Sequence, residues 1–360
     1  MATVGYLVTI FATVYAVSTP IITIYSSRFN RYKTLIVLMV IFLVGNTFTG
    51  LAPNYVSLVI SRIMTACVAG VIISLVMTFA TMIAPREKRT ALVSWIFSGF
   101  SIASVFGVPI GTAISTRFGW RYAFLLVSVV SVITLVFLCV LLPKDSKAVQ
   151  SSLGNQLSLL KDARIYLGIA LVLFGAATMY SYYTYIRPLL TTELGFNLNN
   201  LNWLLFLIGI MNIISNQISG VLAALAGLKA MPLVFIAEVV LLILLPFSLG
   251  VKLVGLVLLL LLTLTTSLLN SPIQIHFLSV AERDYPQSLL LASSLNSIFF
   301  NFGISIGSAT ASSLVHSVGV ANISFGGAFY AVIALILVLL LNRSIANRQQ
   351  ANGNDKKISD

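Results

Sequence analysis

Charge is what this sequence has least of. Asp, Glu, Lys and Arg make up 8% of its 360 residues, against about 25% in a soluble globular protein. So few charges cannot cover the surface of a water-soluble body of this size. Cysteine is nearly as scarce. Cys67 and Cys139 are the only two, which excludes a disulfide framework or a thiolate metal cluster. No His-Glu-x-x-His zinc helix and no Gly-x-x-x-x-Gly-Lys phosphate loop occurs, so neither metal-dependent hydrolysis nor ATP drive is encoded in those forms. No metal site and no cofactor is expected, and no enzyme activity. The net charge of +12 could suggest nucleic acid, but the placement of the charges argues otherwise.

What the chain has instead is apolar residues, 59% of the total, and they come in blocks. A helix needs about 20 residues to cross a bilayer core. Blocks of that size fall at 3–25, 34–52, 56–82, 91–114, 121–142, 164–188, 200–222, 231–249, 253–277, 287–314 and 321–342. Spanning β-strands would alternate over about ten residues, and runs such as Val254 to Leu264 do not. The fold expected is an all-α integral membrane bundle of about eleven spans.

The connections alternate between basic and nearly neutral. One side carries Arg28, Arg31, Lys33, Arg86, Lys88 and Arg89, then Lys144 and Lys147, and finally Arg343, Arg348, Lys356 and Lys357. Basic loops face the cytoplasm, which places the C-terminus inside and the N-terminus outside. The longest connection, 143–163, is polar and cytoplasmic by the same rule. It separates five helices (1–142) from six (164–342), and the polar tail 343–360 reads as disordered.

The strongest local signal is Gly99 through Gly107-Val-Pro109-Ile-Gly111. Glycines spaced by eight and four share a helix face and let another helix approach closely, while Pro109 removes a backbone hydrogen bond and bends the helix. This segment resembles the fifth-helix antiporter motif of the major facilitator superfamily. Phe118-Gly-Trp120-Arg121-Tyr-Ala-Phe124 resembles the turn that follows it in the drug–proton antiporter and arabinose-efflux branch. Ser26-Ser-Arg28-Phe-Asn-Arg31-Tyr-Lys33 resembles that family's basic loop, and Leu58-Val-Ile-Ser-Arg62 its fourth-helix arginine motif. Tyr183-Thr-Tyr185-Ile-Arg-Pro188 resembles the seventh helix, and Ala292 through Gly307 the eleventh.

There are departures. Thr23, Ser27 and Asn30 stand where the loop motif usually has glycine, aspartate and glycine. The first span, with Gly5, Phe11 and Pro20, matches the family's second helix, which implies a chain lacking the first.

The resemblance implies a role in proton coupling for Arg62, a gating contact at Gly99, Gly107, Pro109 and Gly111, and a cytoplasmic latch at Arg28 and Arg31. It makes the spans bearing Tyr180, Tyr183, Tyr185, Asn212, Asn216, Asn270, Gln274, Asn296 and Asn301 the lining of a central substrate cavity. Amides in lipid must be paired or face water, so helix–helix hydrogen bonding is the competing reading for each. Glu238 is the only carboxylate inside an apolar span. It could carry a proton, but the resemblance puts it on a peripheral helix, which favours a structural role.

The function implied is secondary active export of sugars or small amphipathic drugs by proton antiport, from a bacterial-type cytoplasmic membrane. Its energy source is the proton gradient, and its partners are a small-molecule substrate and the lipid bilayer, not nucleic acid. An importer or facilitator of the same fold, or a truncated non-transporting remnant, are the alternatives.

Overall fold

The computed structural model describes residues 2–144, 158–197 and 200–359. Among them there is no strand. The helices are α1 (Ala2–Ser26), α2 (Arg31–Leu51), α3 (Tyr55–Ile83), α4 (Arg86–Ile102), α5 (Val108–Phe118), α6 (Trp120–Leu141) and α7 (Ala163–Tyr183). They continue as α8 (Leu201–Leu225), α9 (Met231–Ser248), α10 (Lys252–Thr266), α11 (Asn270–Asp284), α12 (Leu289–Val318) and α13 (Ser324–Ser359). Among the described residues, ten helical stretches are long and apolar enough to cross a membrane. The remaining span expected from the sequence, 3–25, falls on α1. Most of the central connection, 145–157, lies outside the described residues.

Helices follow from the solvent. A bilayer core offers no water to an unpaired N–H or C=O, so each span must bond its own backbone. The side-chain pattern is likewise inverted relative to a soluble protein. Val140, Leu141 and Leu225 are more than 70% exposed, as lipid-facing residues should be. Ser61, Thr65, Thr78 and Ser219 are fully buried. The hydroxyls of Ser61, Thr65 and Thr78 are satisfied within their own helix, as in Thr78 to the Ser74 carbonyl at 2.9 Å, the back-bonding open to Ser and Thr in helices, while Ser219 donates to the Leu268 carbonyl.

Helix ends are set by polar caps. Asn30 accepts from the Lys33 N–H at 3.1 Å and so starts α2, a task that the glycine usual at this place could not do with a side chain. Asp162 caps α7 through the Arg164 N–H at 2.9 Å and pairs with the Arg164 guanidinium. At the other end, α13 runs to Ser359, through the segment 343–360 whose polarity reads as a disordered tail. Polar composition rules out a buried core but not a helix, and Arg343, Ala346, Arg348 and Gln350 have high helix propensity.

Between α4 and α5 the chain widens into a π-helical turn at Ala103–Gly107. Pro109 follows in the first turn of α5. A proline ring clashes with the carbonyl four residues back, and a π-turn is one of the few devices that absorbs such a clash inside a helix.

The chain divides into two compact units. Unit 1 comprises 1–83, 106–159 and 281–298. Its centre is α3, flanked by α1 and α2, with α6 on α2. Leu35, Leu38, Val71, Leu75 and Phe79 form the core, joined by Leu290 from the start of α12. Ser293 of α12 donates to the Ser74 carbonyl of α3 at 2.9 Å, and Thr78 donates to the Ser293 hydroxyl at 3.2 Å. Unit 2 comprises 84–105, 160–280 and 299–360. In it α13 packs on α7 and α9, and α8 packs on α4 and α10. Tyr182, Leu242, Leu245, Leu259, Leu262 and Ala331 are among its core residues. The π-turn spans the point, between Val105 and Phe106, where the chain passes from unit 2 to unit 1.

Candidate functional site

In unit 1 the polar side chain that stands out is Arg62, half-buried on α3. Its guanidinium carbon lies 4.3 Å from the centre of the Phe11 ring of α1 and 5.4 Å from that of Phe124 of α6. It forms no ion pair among the described residues. The first acidic residue along the chain is Glu87, so none comes from the helices α1–α3 themselves. The positive charge is held by the negative faces of two rings instead. Nothing in the sequence singles out Phe11 or Phe124, since a phenyl in an apolar span has no contrast. Nearby, Tyr15 of α1 shares a hydrogen bond with Ser297 of α12.

Unit 2 holds most of the expected cavity residues, and the structure sorts them into two kinds. The amides are spent on neighbouring helices. The Asn270 side chain donates to Asn216 at 3.0 Å, and Ser267 donates to Asn212 at 3.1 Å. Ser215 and Ser219 of α8 donate to the carbonyls of Leu264 and Leu268. Together these bonds form a polar seam between α8 and the α10–α11 segment. Gln217, on another face of α8, donates to Ser98 of α4 at 2.7 Å. Gln274 is buried at 1% exposure. For Asn212, Asn216 and Asn270 the helix-pairing reading therefore accounts for the side chain.

The tyrosines are different. Tyr180 stacks edge-to-face on Tyr183 at 5.9 Å and on Phe300 of α12 at 6.1 Å. Neither the Tyr180 nor the Tyr183 hydroxyl makes a hydrogen bond among the described residues. Tyr185 donates to Ser312 at 3.3 Å, and Thr184 bonds Ser308 at 3.0 Å. This corner is possible because α7 and α12 approach closely. A Cβ on Gly307 would meet the Ala177 carbonyl at 2.6 Å, and one on Gly303 would meet the Leu173 carbonyl. Asn301 lies one residue past Phe300 in unit 2, half-buried, whereas Asn296 lies in unit 1, buried. Gly303-Ile-Ser305-Ile-Gly307 has the spelling of a nucleophile elbow, yet it lies inside α12 rather than on a strand-to-helix turn, and Ser305 merely donates to the Asn301 carbonyl.

The glycine motif departs from expectation. A Cβ added at Gly99, Gly107 or Gly111 would meet nothing within 4 Å. The face that α4 buries is instead the one bearing Ser94, Ser98 and Val105. There the close approaches are made by glycines of the partner helix, Gly220 against Ser94 and Gly209 against Val105. Seven- and four-residue steps put 94, 98 and 105 on one stripe, and Gly99 lies off it. The Pro109 side chain lies outside what the structure describes.

In the basic loop, Arg31 is 9% exposed and donates to the Met82 sulfur of α3 at 3.0 Å, while Arg28 is exposed in the turn before α2. The described residues contain no cluster of His, Cys, Asp and Glu that could hold a metal.

The sequence profile described as Major Facilitator Superfamily matches residues 1–289. YtbD of Bacillus subtilis, named as an uncharacterized MFS-type transporter, is 31% identical over 338 residues, covering 94% of this chain and 85% of its own length. The inner membrane transport protein YdhP of Escherichia coli K12 is 28% identical over 340 residues, covering 94% and 86%. The crystal structure of the E. coli fucose:proton symporter FucP superposes with a TM-score of 0.76 at 13% identity, covering 95% of this chain and 91% of that one.

Proposed function

The chain belongs to the major facilitator superfamily of membrane transporters, and within it we propose proton-coupled export of neutral polar or amphipathic small molecules. The observation that carries this reading is the Tyr180–Tyr183–Phe300 corner, which offers aromatic faces and two unspent hydroxyls. Aromatic faces bind sugar C–H faces and planar drugs alike, and free hydroxyls hydrogen-bond neutral polar groups. Ring faces and hydroxyls are what this corner offers, which suits a neutral substrate.

Arg62 places a positive charge within the span of α3 in unit 1. A guanidinium without a carboxylate partner raises the local positive potential and so disfavours an incoming proton, which supports a part in coupling. The bare faces of Gly99, Gly107 and Gly111 support a gating role in another conformation, where a neighbouring helix takes up the stripe. The π-turn at Ala103–Gly107 is the place at which that helix can flex. Residence in a bacterial-type cytoplasmic membrane, with a cytoplasmic C-terminus, belongs to the same proposal and rests on the distribution of basic residues.

The test uses everted membrane vesicles energised to be acid inside. Pentoses, hexoses and amphipathic dyes are added in turn while a fluorescent probe reports the internal pH. An exported substrate should enter the vesicles, discharge the gradient and stop accumulating when an uncoupler is present. Accumulation only in right-side-out vesicles would overturn the direction, and uncoupler-insensitive movement would overturn the coupling.

A further inference from the structure

In unit 1 an open groove of about 690 Å³ runs along the α2–α6 pair, a volume in the range of ligand sites. Its walls include Val44, Phe48 and Leu51 of α2 and Leu125, Val129 and Val132 of α6. The two helices meet closely at Gly50, where an added Cβ would lie 2.9 Å from the Leu125 side chain and 3.2 Å from the Arg121 carbonyl. Val44, Leu51, Val129 and Val132 are exposed, so the groove opens toward lipid. It also opens away from Arg62, because Phe124, which faces that arginine, lies about 140° around α6 from Val129.

The floor is dry. Thr47 and Ser128 bond each other at 3.0 Å, and they also reach the Leu43 and Phe124 carbonyls of their own helices. Hydroxyls committed in this way leave a hydrocarbon surface, which suits an alkyl chain rather than a polar solute.

At the Leu51 end stands a cation. Arg121 donates to the Ala52 carbonyl at 3.0 Å, and its guanidinium carbon lies 4.7 Å from the centre of the Trp120 ring. A guanidinium has five N–H donors, so this tether leaves donors for an anion. Arg121 forms no ion pair among the described residues. The acidic residues of unit 1 are Asp145, Glu282 and Asp284. Asp145 follows Lys144, whose carbonyl accepts from Asn30 at the opposite end of α2. Glu282 and Asp284 shortly precede Leu290, which packs with Leu35 and Leu38 toward that same end.

Depth fits as well. Tyr55, Trp120 and Tyr122 are exposed at the Leu51 end, as in the aromatic belts found at headgroup level. From Leu51 to Leu43, α2 covers about 12 Å, close to the roughly 15 Å of hydrocarbon in one leaflet.

We propose that this groove is a binding site for one anionic phospholipid, with an acyl chain between α2 and α6 and the phosphate on Arg121. Bulk lipid would fill the groove through its tails alone, whereas the tethered guanidinium selects by headgroup charge. Under the orientation given above the lipid belongs to the outer leaflet, but the site itself does not depend on that orientation or on the antiport reading.

Native mass spectrometry of the purified full chain in detergent, titrated in turn with phosphatidylglycerol and phosphatidylcholine, tests it. One phosphatidylglycerol should stay bound at concentrations where phosphatidylcholine does not. Arg121→Gln should weaken that binding by about tenfold, as loss of a charge-assisted hydrogen bond does. Val129→Trp, which fills the groove from an exposed position, should weaken it too, and Lys229→Gln in unit 2 should leave it unchanged. Equal retention of the two lipids would mean bulk lipid only and would overturn the site, as would wild-type binding in both groove variants. A dimer that Val129→Trp abolishes while lipid binding stands would give the groove to a second copy of the chain instead. Should Arg121→Gln fail to fold, Val129→Trp decides, and unchanged phosphatidylglycerol binding there sinks the proposal.

Discussion

The guanidinium of Arg62 faces the ring of Phe11 at 4.3 Å, and the two residues come from helices that the sequence separates by a whole span. A desolvated cation–π contact is worth about 2 kcal/mol. Phe11→Ala should therefore lower the stability of the purified protein by about 1–2 kcal/mol in chemical unfolding and weaken gradient-driven export, while Phe11→Tyr should leave both near wild type. Arg62→Lys keeps the charge but not the planar face, and it should behave like Phe11→Ala. Equal stability and export in all three variants would detach Arg62 from coupling.

The seam between α8 and α11 makes a second prediction. Asn270 and Asn216 bond directly at 3.0 Å, and interhelical polar pairs in membranes couple by about 0.6 kcal/mol, with an upper range of about 1.7. A double-mutant cycle of Asn216→Ala and Asn270→Ala, read from thermal unfolding in detergent, should show a coupling in that range. Two variants whose effects simply add would mean that the pair does not hold the helices together.

The two tyrosines should show the opposite profile. Their hydroxyls make no hydrogen bond among the described residues, so Tyr180→Phe and Tyr183→Phe should leave the melting temperature unchanged. Each should raise the KM for an exported substrate by about tenfold, the factor that corresponds to a hydrogen bond of about 1.4 kcal/mol. Loss of stability without a change in KM would make the corner structural.

Glycines supply the last contrast. At Gly307 an added Cβ would meet the Ala177 carbonyl at 2.6 Å, and backbone cannot yield as a flexible side chain can. Gly307→Ala should force α7 and α12 apart and lower the melting temperature markedly, as overpacking does at about 1–3 kcal/mol. Gly107→Ala and Gly111→Ala meet open space and should unfold like the wild type. If the bare stripe serves gating, those two should nevertheless slow transport.

Much of this was legible in the sequence. The spans were, because a bilayer demands unbroken apolar blocks, and 34–52 and 56–82 fall on α2 and α3 almost residue for residue. Arg62 was marked by its cost in an apolar run, but its partners were not, since Phe11 and Phe124 are two apolar residues among many. The amides were marked too. Whether an amide meets substrate or another helix depends on what stands opposite, and for Asn216 that is Asn270, which is distant in sequence. The glycine motif announces a smooth face without saying which conformation fills it. Charge content in the tail speaks to burial alone, while the path of α13 through it follows local propensity.

Unit 1 takes its third segment, 281–298, from late in the chain. During synthesis, Ser74 and Thr78 must wait in the bilayer until Ser293 has left the ribosome, although their own helix was inserted long before. Helices α1, α2, α3, α5 and α6 can enter the membrane as they are made, but their unit closes only when most of the protein has followed. A stalled or prematurely terminated chain would leave that seam unfilled, and its hydroxyl-lined gap is a feature that membrane quality control could recognise.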